Sequence, residues 1–388
     1  MKVVIAPDSF KECLSAGDVA EALAAGVRAA DGRAVIDLCP MADGGEGTVR
    51  AMVAATAGQV LSATVTAPMG EAVRASFGLL GTPAGAAAAV TAVIEMAAAS
   101  GLALVEPARR NPMIATTYGT GELILAALNA GAEEVLIGIG GSATVDGGCG
   151  CAQGLGVRFF DAAGQCCPPG IGGGGLANIR HVGMSGRDAR VGAARIRVAC
   201  DVTNPLTGPD GAAVVYGPQK GASPEMVAVL EKGLANLAEV IRRDLGLDVE
   251  QLPGGGAAGG LGAGLVAFAG GRLQRGVEIV AGAVGLARRL EGADLCITGE
   301  GRLDRQSLAG KTAVGVAHLA AAAQVPVVCI PGQAASGMDC GGLFIDVRPL
   351  VAGEVTAGEA MARAGELLTA RACQAVADFL GRGRRRGL

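Results

Sequence analysis

The sequence predicts an α/β protein: a discontinuous Rossmann- or flavodoxin-like domain of three layers, with a second α+β domain inserted into it. Three observations carry this expectation. Short apolar runs that end in turn residues are followed by alanine-rich stretches of helical period, the pattern of a buried parallel sheet. Two such runs lie at the N-terminus and three near the C-terminus. Between them the texture changes to alternating strands and glycine loops. The expected division is 1–58 plus 285–388 for the first domain and 59–284 for the insert, with the active site in the cleft between them. Glycine-rich connections near residues 58 and 284 would serve as its hinge.

Taken in order, the strands of the first domain are Val3–Ala6, Val35–Leu38, Leu295–Thr298, Val325–Ile330 and Leu343–Val347. Their helical partners are Ala16–Ala30, Glu46–Ala57, Lys311–Ala323 and Glu359–Leu380. In the first helix Val19, Leu23 and Val27, with Ala20 and Ala24, mark one face, and Asp18 supplies an acid to the first turn. The insert opens with alternation from about Gly58 to Met96, folded at Pro68-Met69-Gly70 as a hairpin. Further strands are expected at Val135–Ile139, Val157–Phe160 and Ile196–Ala199. Gly170–Gly175 reads as a loop, and Pro253–Gly264 as a second one that leads into an apolar helix.

Composition narrows the function. The chain of 388 residues is 51% hydrophobic and 18% charged, which is globular rather than disordered. A net charge of −4 argues against general affinity for nucleic acid. The basic tail Arg382–Arg386 reads as a solvated end. The longest apolar stretch, Ala84–Ile94, is too short to span a bilayer. Eleven cysteines without a Cys-x-x-Cys pair suggest neither a disulfide framework nor a zinc site. With no secretory pattern at Met1–Ala6, a reducing cytoplasm is expected.

Charge usage is the sharpest signal. Only five lysines occur against 27 arginines. Three of them stand in turn motifs: Lys11 in Asp8-Ser9-Phe10-Lys11, Lys220 in Gly217-Pro218-Gln219-Lys220-Gly221, and Lys311 in Gly310-Lys311-Thr312. A compact ammonium suits a phosphoryl oxygen or a small carboxylate better than the planar guanidinium does. Lys2 and Lys232 read as ordinary surface residues. Ligands of open α/β sheets bind at the carboxyl ends of the strands. Those ends carry Asp8 to Lys11, Asp43-Gly44-Gly45-Glu46, Thr298-Gly299-Glu300-Gly301-Arg302 and Pro331-Gly332-Gln333. The insert adds Gly140-Gly141-Ser142-Ala143-Thr144, Asp201 to Pro205 and the Lys220 turn. Phosphoryl transfer needs cations on the moving phosphate, backbone N–H groups around it, carboxylates for magnesium and a base at the acceptor, and each is available here.

Two other motifs compete. Gly310-Lys311-Thr312 imitates the end of a Walker A loop, but Arg305 stands where its first glycine must be. Gly138-x-Gly140-x-x-Ala143 follows a strand, and Asp161 lies roughly 20 residues on, as in a dinucleotide-binding turn. That pattern keeps a nicotinamide-dependent oxidoreductase of a small hydroxy acid as the alternative, although Asp146-Gly147-Gly148 breaks the helix it requires. His181 and His318 fall outside these turns. A serine hydrolase would need a closing glycine after Ser142 that is absent. Thr116-Thr117-Tyr118 reads equally as a helix cap and as a substrate contact.

The motifs together resemble one family. They are Ile5 to Lys11, Pro40 to Thr48, Ile94 to Ala97, Thr117 to Ile124 and Ile137 to Thr144. Asp201 to Leu206, Gly217 to Gly221, Ala257 to Gly262 and Thr298 to Arg302 complete the order. Over nearly its whole length the chain is similar to bacterial glycerate kinases with a two-domain α/β fold. The resemblance implies transfer of the ATP γ-phosphate to the 2-hydroxyl of glycerate, with ATP and Mg2+ as cofactors and no nucleic-acid or membrane partner. The family usually has glycine and serine where Glu12 and Cys13 stand, asparagine at Val145, and often proline at Ala313. The expected roles are catalysis for Lys11, Asp43, Asp201 and Arg302, and substrate binding for Asp8, Ser9, Glu46, Asn204 and Thr117. Gly140, Gly141, Ser142, Lys220, Glu300 and Lys311 would bind phosphate or nucleotide, and Asp43 with Glu46 would hold the metal. Asp201, at the end of an apolar strand, is expected to be partly desolvated.

Overall fold

The computed structural model describes residues 1–81, 89–304, 307, 311–335 and 341–385. Ala84–Ala88, Arg305, Gly310 and Arg386, on which readings of the sequence fell, lie outside the described residues. The chain divides into two compact units, one of Met1–Asp43, Arg50–Ala57 and Arg275–Leu388, the other of Gly44–Val49 and Gly58–Gln274.

The first unit is built on five parallel strands, Lys2–Ile5, Val35–Leu38, Leu295–Thr298, Val327–Cys329 and Asp346–Val347. Numbered along the chain, their order across the sheet is 2-1-3-4-5, the flavodoxin-like winding. Val3 pairs with Leu295 on one side, and Lys2 with Val35 on the other. Helix Ala16–Ala30 starts at Ser15, whose side chain accepts from Asp18 N, and it buries Val19, Leu23 and Val27. It packs against the last helix, Ala364–Arg385, and these two cover one face of the sheet through Val3, Ile5, Leu295 and Ile297. Successive strand residues point to opposite faces. Helix Thr312–Ala322 with Gly276–Ala283 and Leu286–Leu290 forms the third layer. The expected C-terminal helix is two: Ala357–Ala362, opened by the Thr356–Glu359 capping box, and Ala364–Arg385.

The second unit holds a six-stranded sheet of mixed sense. Strands Gln59–Thr66 and Ala72–Leu79 form the antiparallel hairpin around Gly70. Strands Thr91–Glu95, Glu134–Gly138, Arg195–Ala199 and Arg272–Gln274 continue it in parallel. One core lies under helix Tyr118–Asn129. The other gathers around helix Pro224–Leu245, where Phe159 and Phe268 meet edge to face at 5.4 Å. The chain returns to the first unit at Arg275, before residue 285, because Arg272–Gln274 is still a strand of this sheet. Gly44–Val49 belongs here too. Gly44 lies against Ala199 and Gly138, and Glu95 Oε1 accepts from Val49 N at 2.8 Å. The second glycine loop is tighter than expected. Helix Ala257–Ala269 begins with Ala258, Gly259 and Gly260 left-handed, since a Cβ at Gly259 would sit 1.9 Å from the Thr144 carbonyl oxygen.

No helix among the described residues is long and apolar enough to cross a membrane. The described cysteines are free thiols.

Glu12, where the resembled family usually has glycine, has φ of 62°. An L side chain in this left-handed region costs about 1 kcal/mol. Glu12→Gly is therefore expected to leave stability unchanged or raise it by up to about 1 kcal/mol, as read by urea melts. A loss of more than that amount would show that the Glu12 side chain supports the loop.

Candidate active site

The backbone ladder of the first sheet continues past its strands and delivers the polar groups in register. Ala6 N donates to Ile297 O, and then Asp8 N to Gly299 O at 2.8 Å. Met41 N donates to Pro7 O, and Gly332 N to Glu300 O. Gly299 passes so close to the next strand end that a Cβ would lie 2.3 Å from Ile330 O. Asp8, Asp43 and Glu300 thus emerge from neighbouring strand ends at the switch point of the winding, between the first and third strands.

They open into one cavity of about 380 Å³, which Ser9, Lys11, Arg302, Asp304, Lys311 and Gln333 also line. Its lining divides by chemistry. Charged groups come from the segments after the first, second and third strands and from the start of helix Thr312–Ala322. Aliphatic groups come from Leu350, Val351 and the helix beginning at Ala357.

The carboxyls are under electrostatic load. Burial, and secondarily the neighbouring Asp43 charge, push Asp8 up to about 6, against hydrogen bonds from Thr312 Oγ1 at 2.5 Å and Ser9 N at 2.6 Å. Burial pushes Glu300 up to about 7, with Asp8 adding to the rise and Ser307 and Lys311 opposing it. Glu300 is 6% exposed, and its Oε1 has no hydrogen-bond partner among the described residues. Orphaned buried oxygens are uncommon and point to a missing ligand or proton. Arg302 is exposed and pairs with Asp304 at 3.5 Å.

Because Glu300 is held above its ordinary value, its protonated form favours the folded state. That contribution is complete below about 4.5 and is lost as pH rises through about 7. Glu300→Gln should remove the loss, so the variant gains on the order of 2–3 kcal/mol over the parent at pH 8 and little at pH 4. Paired thermal melts check this. An equal offset at both pH values would mean that Glu300 is not shifted.

The second unit carries the remaining expected residues, and several are spent on structure. Lys220 is 2% exposed, and its Nζ donates to Ser142 Oγ at 2.6 Å and to Thr144 O at 2.7 Å. Burial lowers it to about 7, against the pull of Asp146. Lys220 therefore braces the Gly140-Gly141-Ser142 turn from inside rather than presenting its ammonium to a ligand. Gly140 and Gly141 are exposed, while Ser142 is buried. Thr117 is fully buried, and its hydroxyl and amide both donate to Asp146 Oδ2, at 2.7 and 2.8 Å. It is neither a side-chain helix cap nor an accessible substrate contact. The carboxyl of Asp146 is raised by burial and eased by these bonds and by the amides of Gly148 and Gly150. Asn204 accepts from Tyr216 Oη at 2.6 Å and donates to Asp210 O at 2.8 Å, so its amide is committed to its own loop. Asp201 is exposed rather than partly desolvated, because its strand ends at Ala199. Glu46 is exposed and belongs to the second unit, whereas Asp43 belongs to the first.

The dinucleotide-binding alternative loses its physical basis. After strand Glu134–Gly138 no helix begins until Cys149, and the Gly141–Ala143 turn instead bridges Ser100–Leu102. Asp161 Oδ1 accepts from Ala163 N and Gln165 N within its own turn. No helix N-terminus is available to receive a pyrophosphate there.

The sequence reading places Glu300 with the nucleotide-binding groups and Gln333 among the strand-end residues, and it does not bring out the buried Asp146–Thr117–Lys220 network. The strand run Leu295–Thr298 directly before Glu300 could have marked that carboxyl as desolvated. Nothing local in the sequence marks Lys220 as a brace, since its partners lie more than seventy residues away.

Comparison with known proteins agrees along the whole chain. The family described as "Glycerate kinase family" matches residues 3–380. The chain is 51% identical over 333 residues to glycerate 2-kinase of Escherichia coli K12, covering 86% of this chain and 85% of that one. It is 50% identical to glycerate kinase of Bacillus subtilis 168 over the same shares. A crystal structure of a Salmonella typhimurium LT2 protein assigned as glycerate kinase 2 superimposes with a TM-score of 0.89, at 48% identity and 99% coverage of both chains.

Proposed function

The chain belongs to the glycerate kinase family, and from that premise we propose that it transfers the γ-phosphate of ATP to the 2-hydroxyl of glycerate, giving 2-phosphoglycerate and ADP. The observation that carries the mechanistic reading is the cavity at the switch point, where Lys11, Lys311 and Arg302 face Asp8, Asp43 and Glu300. The regiochemical part is supported by the name of the Escherichia coli relative.

In this reading the residues divide the work by charge. Lys11 and Lys311 bind the anionic oxygens of the transferring phosphoryl group and stabilise its charge as it moves. Arg302 adds a planar fork beside them. Glu300 is the general base: its value of about 7 is matched to neutral pH, and its free Oε1 is available to receive the proton of the acceptor hydroxyl. Asp8 is less suited, because both of its oxygens already accept hydrogen bonds. Once the proton reaches Glu300, the hydroxyl oxygen forms the new bond to phosphorus, and the bond to the β-phosphate oxygen breaks.

Magnesium fits the donor set. The cavity offers carboxylate oxygens, its described lining holds no His and no Cys other than Cys13, and a divalent cation would relieve the mutual repulsion of the carboxylates. Among the described residues no three acidic, Cys or His side chains already form a cage. Magnesium often binds through one or two carboxylates and the substrate phosphates. Asp43 and Asp8 would hold it, and it would neutralise charge on the phosphates. Asp43→Asn is expected to raise the Mg2+ concentration for half-maximal turnover about tenfold while the protein stays folded. An unchanged Mg2+ dependence would remove Asp43 from the metal.

The reaction is tested by coupled ADP release over a panel of small hydroxy acids. Glycerate should give the highest kcat/KM. Negligible release with glycerate alongside good turnover of another acceptor would overturn the substrate.

A further inference from the structure

We infer that the open edge of the second unit's sheet, strand Gln59–Thr66, is where two copies of this chain join, paired antiparallel about a two-fold axis at Ser62. This goes beyond the kinase reading and does not depend on it. The strand is the last of its sheet and pairs on one side only, with Ala72–Leu79. An open edge is a row of unpaired N–H and C=O groups, which proteins guard with lysine, proline, a bulge or a covering element. Among the described residues this edge has none of these before its last residue. Its sequence, Gln-Val-Leu-Ser-Ala-Thr-Val-Thr, holds no charge and no proline, and it pairs with its neighbour without a bulge.

The hydrogen-bond pattern shows which groups are on offer. Ala67 N donates to Glu71 O inside the hairpin, so by alternation Val65, Ala63 and Leu61 also bond inward, while Val60, Ser62 and Thr64 point their backbone groups outward. Thr66 belongs to the outward set as well, but its N–H already donates to Glu122 Oε2 at 2.6 Å. Val60, Ser62 and Thr64 are exposed and have no backbone partner outside the hairpin among the described residues. The Glu122 cap then sets the register. An axis at Ser62 pairs Ser62 with its own copy and Val60 with Thr64 of the other copy, roughly six backbone bonds that use every outward group short of Thr66. Sliding the centre toward Thr66 needs the amide that Glu122 holds. Sliding it the other way runs the pairing into Gly58, next to the left-handed Ala57.

The side chains suit the same register. On the outer face Val60, 51% exposed, lies across from Thr64 of the other copy, both β-branched, and Ser62 lies across from Ser62. Arg74, a charge of the neighbouring strand, is drawn back by its own bond from Nε to Ser62 Oγ at 2.9 Å. On the inner face Leu61 and Ala63 are only partly buried, as are Leu125 and Ala126 of helix Tyr118–Asn129. That helix approaches the strand so closely that a Cβ at Gly119 would lie 1.9 Å from Thr66 O. A second copy sets Leu61 across from Ala63 and continues the apolar layer past the axis. An edge alone buries little, and this layer adds the area that a stable dimer needs.

The test is the mass of the whole chain in solution, by sedimentation equilibrium. The parent should be a dimer at about 100 μM. Ser62→Pro removes only an outward N–H and leaves the hairpin ladder whole, and Val60→Lys places an ammonium on the edge. Both variants, checked by melting, should raise the dimer Kd at least about a hundredfold. Ser62→Cys tests the register. Residues exchanging both backbone bonds have Cα atoms about 5.5 Å apart, within disulfide reach. Mild oxidation of Ser62→Cys should therefore give a peptide joined to its own copy at position 62, and Thr64→Cys should give no such self-linked peptide. A monomeric parent at about 100 μM would overturn the proposal. So would folded edge variants that dimerise as the parent does, or a dimer in which Ser62→Cys forms no link.

Discussion

Lys11→Ala should lower kcat on glycerate by about 10²–10³, the usual cost of removing one preorganised donor from developing transition-state charge. Lys11 is exposed and lines the cavity beside Asp8 and Glu300, so its loss should leave the fold intact. Lys11→Arg should not restore the rate. The loop makes a tight reversal in which Phe10 and Leu14 exchange backbone hydrogen bonds and Glu12 is left-handed. A wider fork on that loop cannot bring one point donor to the same oxygen. If Lys11→Ala turned over at a near-native rate with normal substrate affinities, Lys11 would be no part of the site. If Lys11→Arg were fully active, only charge would matter there.

The second large effect lies in the other unit and is on stability. Lys220→Met should cost about 3–5 kcal/mol in urea melts, as when one partner of a buried polar pair is removed. Its Nζ bonds both the Ser142 hydroxyl and the Thr144 carbonyl, and the Asp146 carboxyl exerts its pull nearby. Methionine matches the apolar stem but leaves those oxygens unanswered. Lys220→Arg should also be destabilised, because a side chain 2% exposed leaves no room for the guanidinium. The same variants separate bracing from phosphate binding. A phosphate ligand would leave stability unchanged and raise only the KM for nucleotide.

The contrast between the two lysines shows what the sequence could carry. Both stand in glycine- or serine-marked turns of a chain poor in lysine, and from sequence both look like anion ligands. One opens onto the cavity; the other is buried. Turn chemistry is local, but the direction of a side chain at a turn is set by what packs over it. For Lys220 that is residues 142–146, distant in sequence. Thr117 teaches the same point. Its partner Asp146 is 29 residues away, and no local pattern distinguishes an internal hydroxyl from an accessible one.

The sheet was far more legible. Val35–Leu38 and Leu295–Thr298 stand where periodicity put them, because strands buried in a parallel sheet read as unbroken apolar runs bounded by turns. Helix Ala16–Ala30 was equally clear, with its apolar stripe and the acid of its first turn both in the sequence, whereas its Ser15 cap is seen only in the structure. The return point at Arg275 was not. It depends on Arg272–Gln274 pairing with Arg195–Ala199, a long-range contact in a short stretch with no apolar run. The candidate base was partly legible. Glu300 was singled out from its turn, but its rise to about 7 comes from burial and from Asp8, a residue nearly three hundred positions away that the winding brings beside it.

The central claim is that this chain phosphorylates the 2-hydroxyl of glycerate, and product NMR tests it most directly. After complete turnover of glycerate with MgATP, the product phosphorus should couple to the single proton on carbon 2. Phosphorus coupled to the two protons on carbon 3 would contradict the regiochemistry, and an unchanged glycerate spectrum would contradict the claim as a whole.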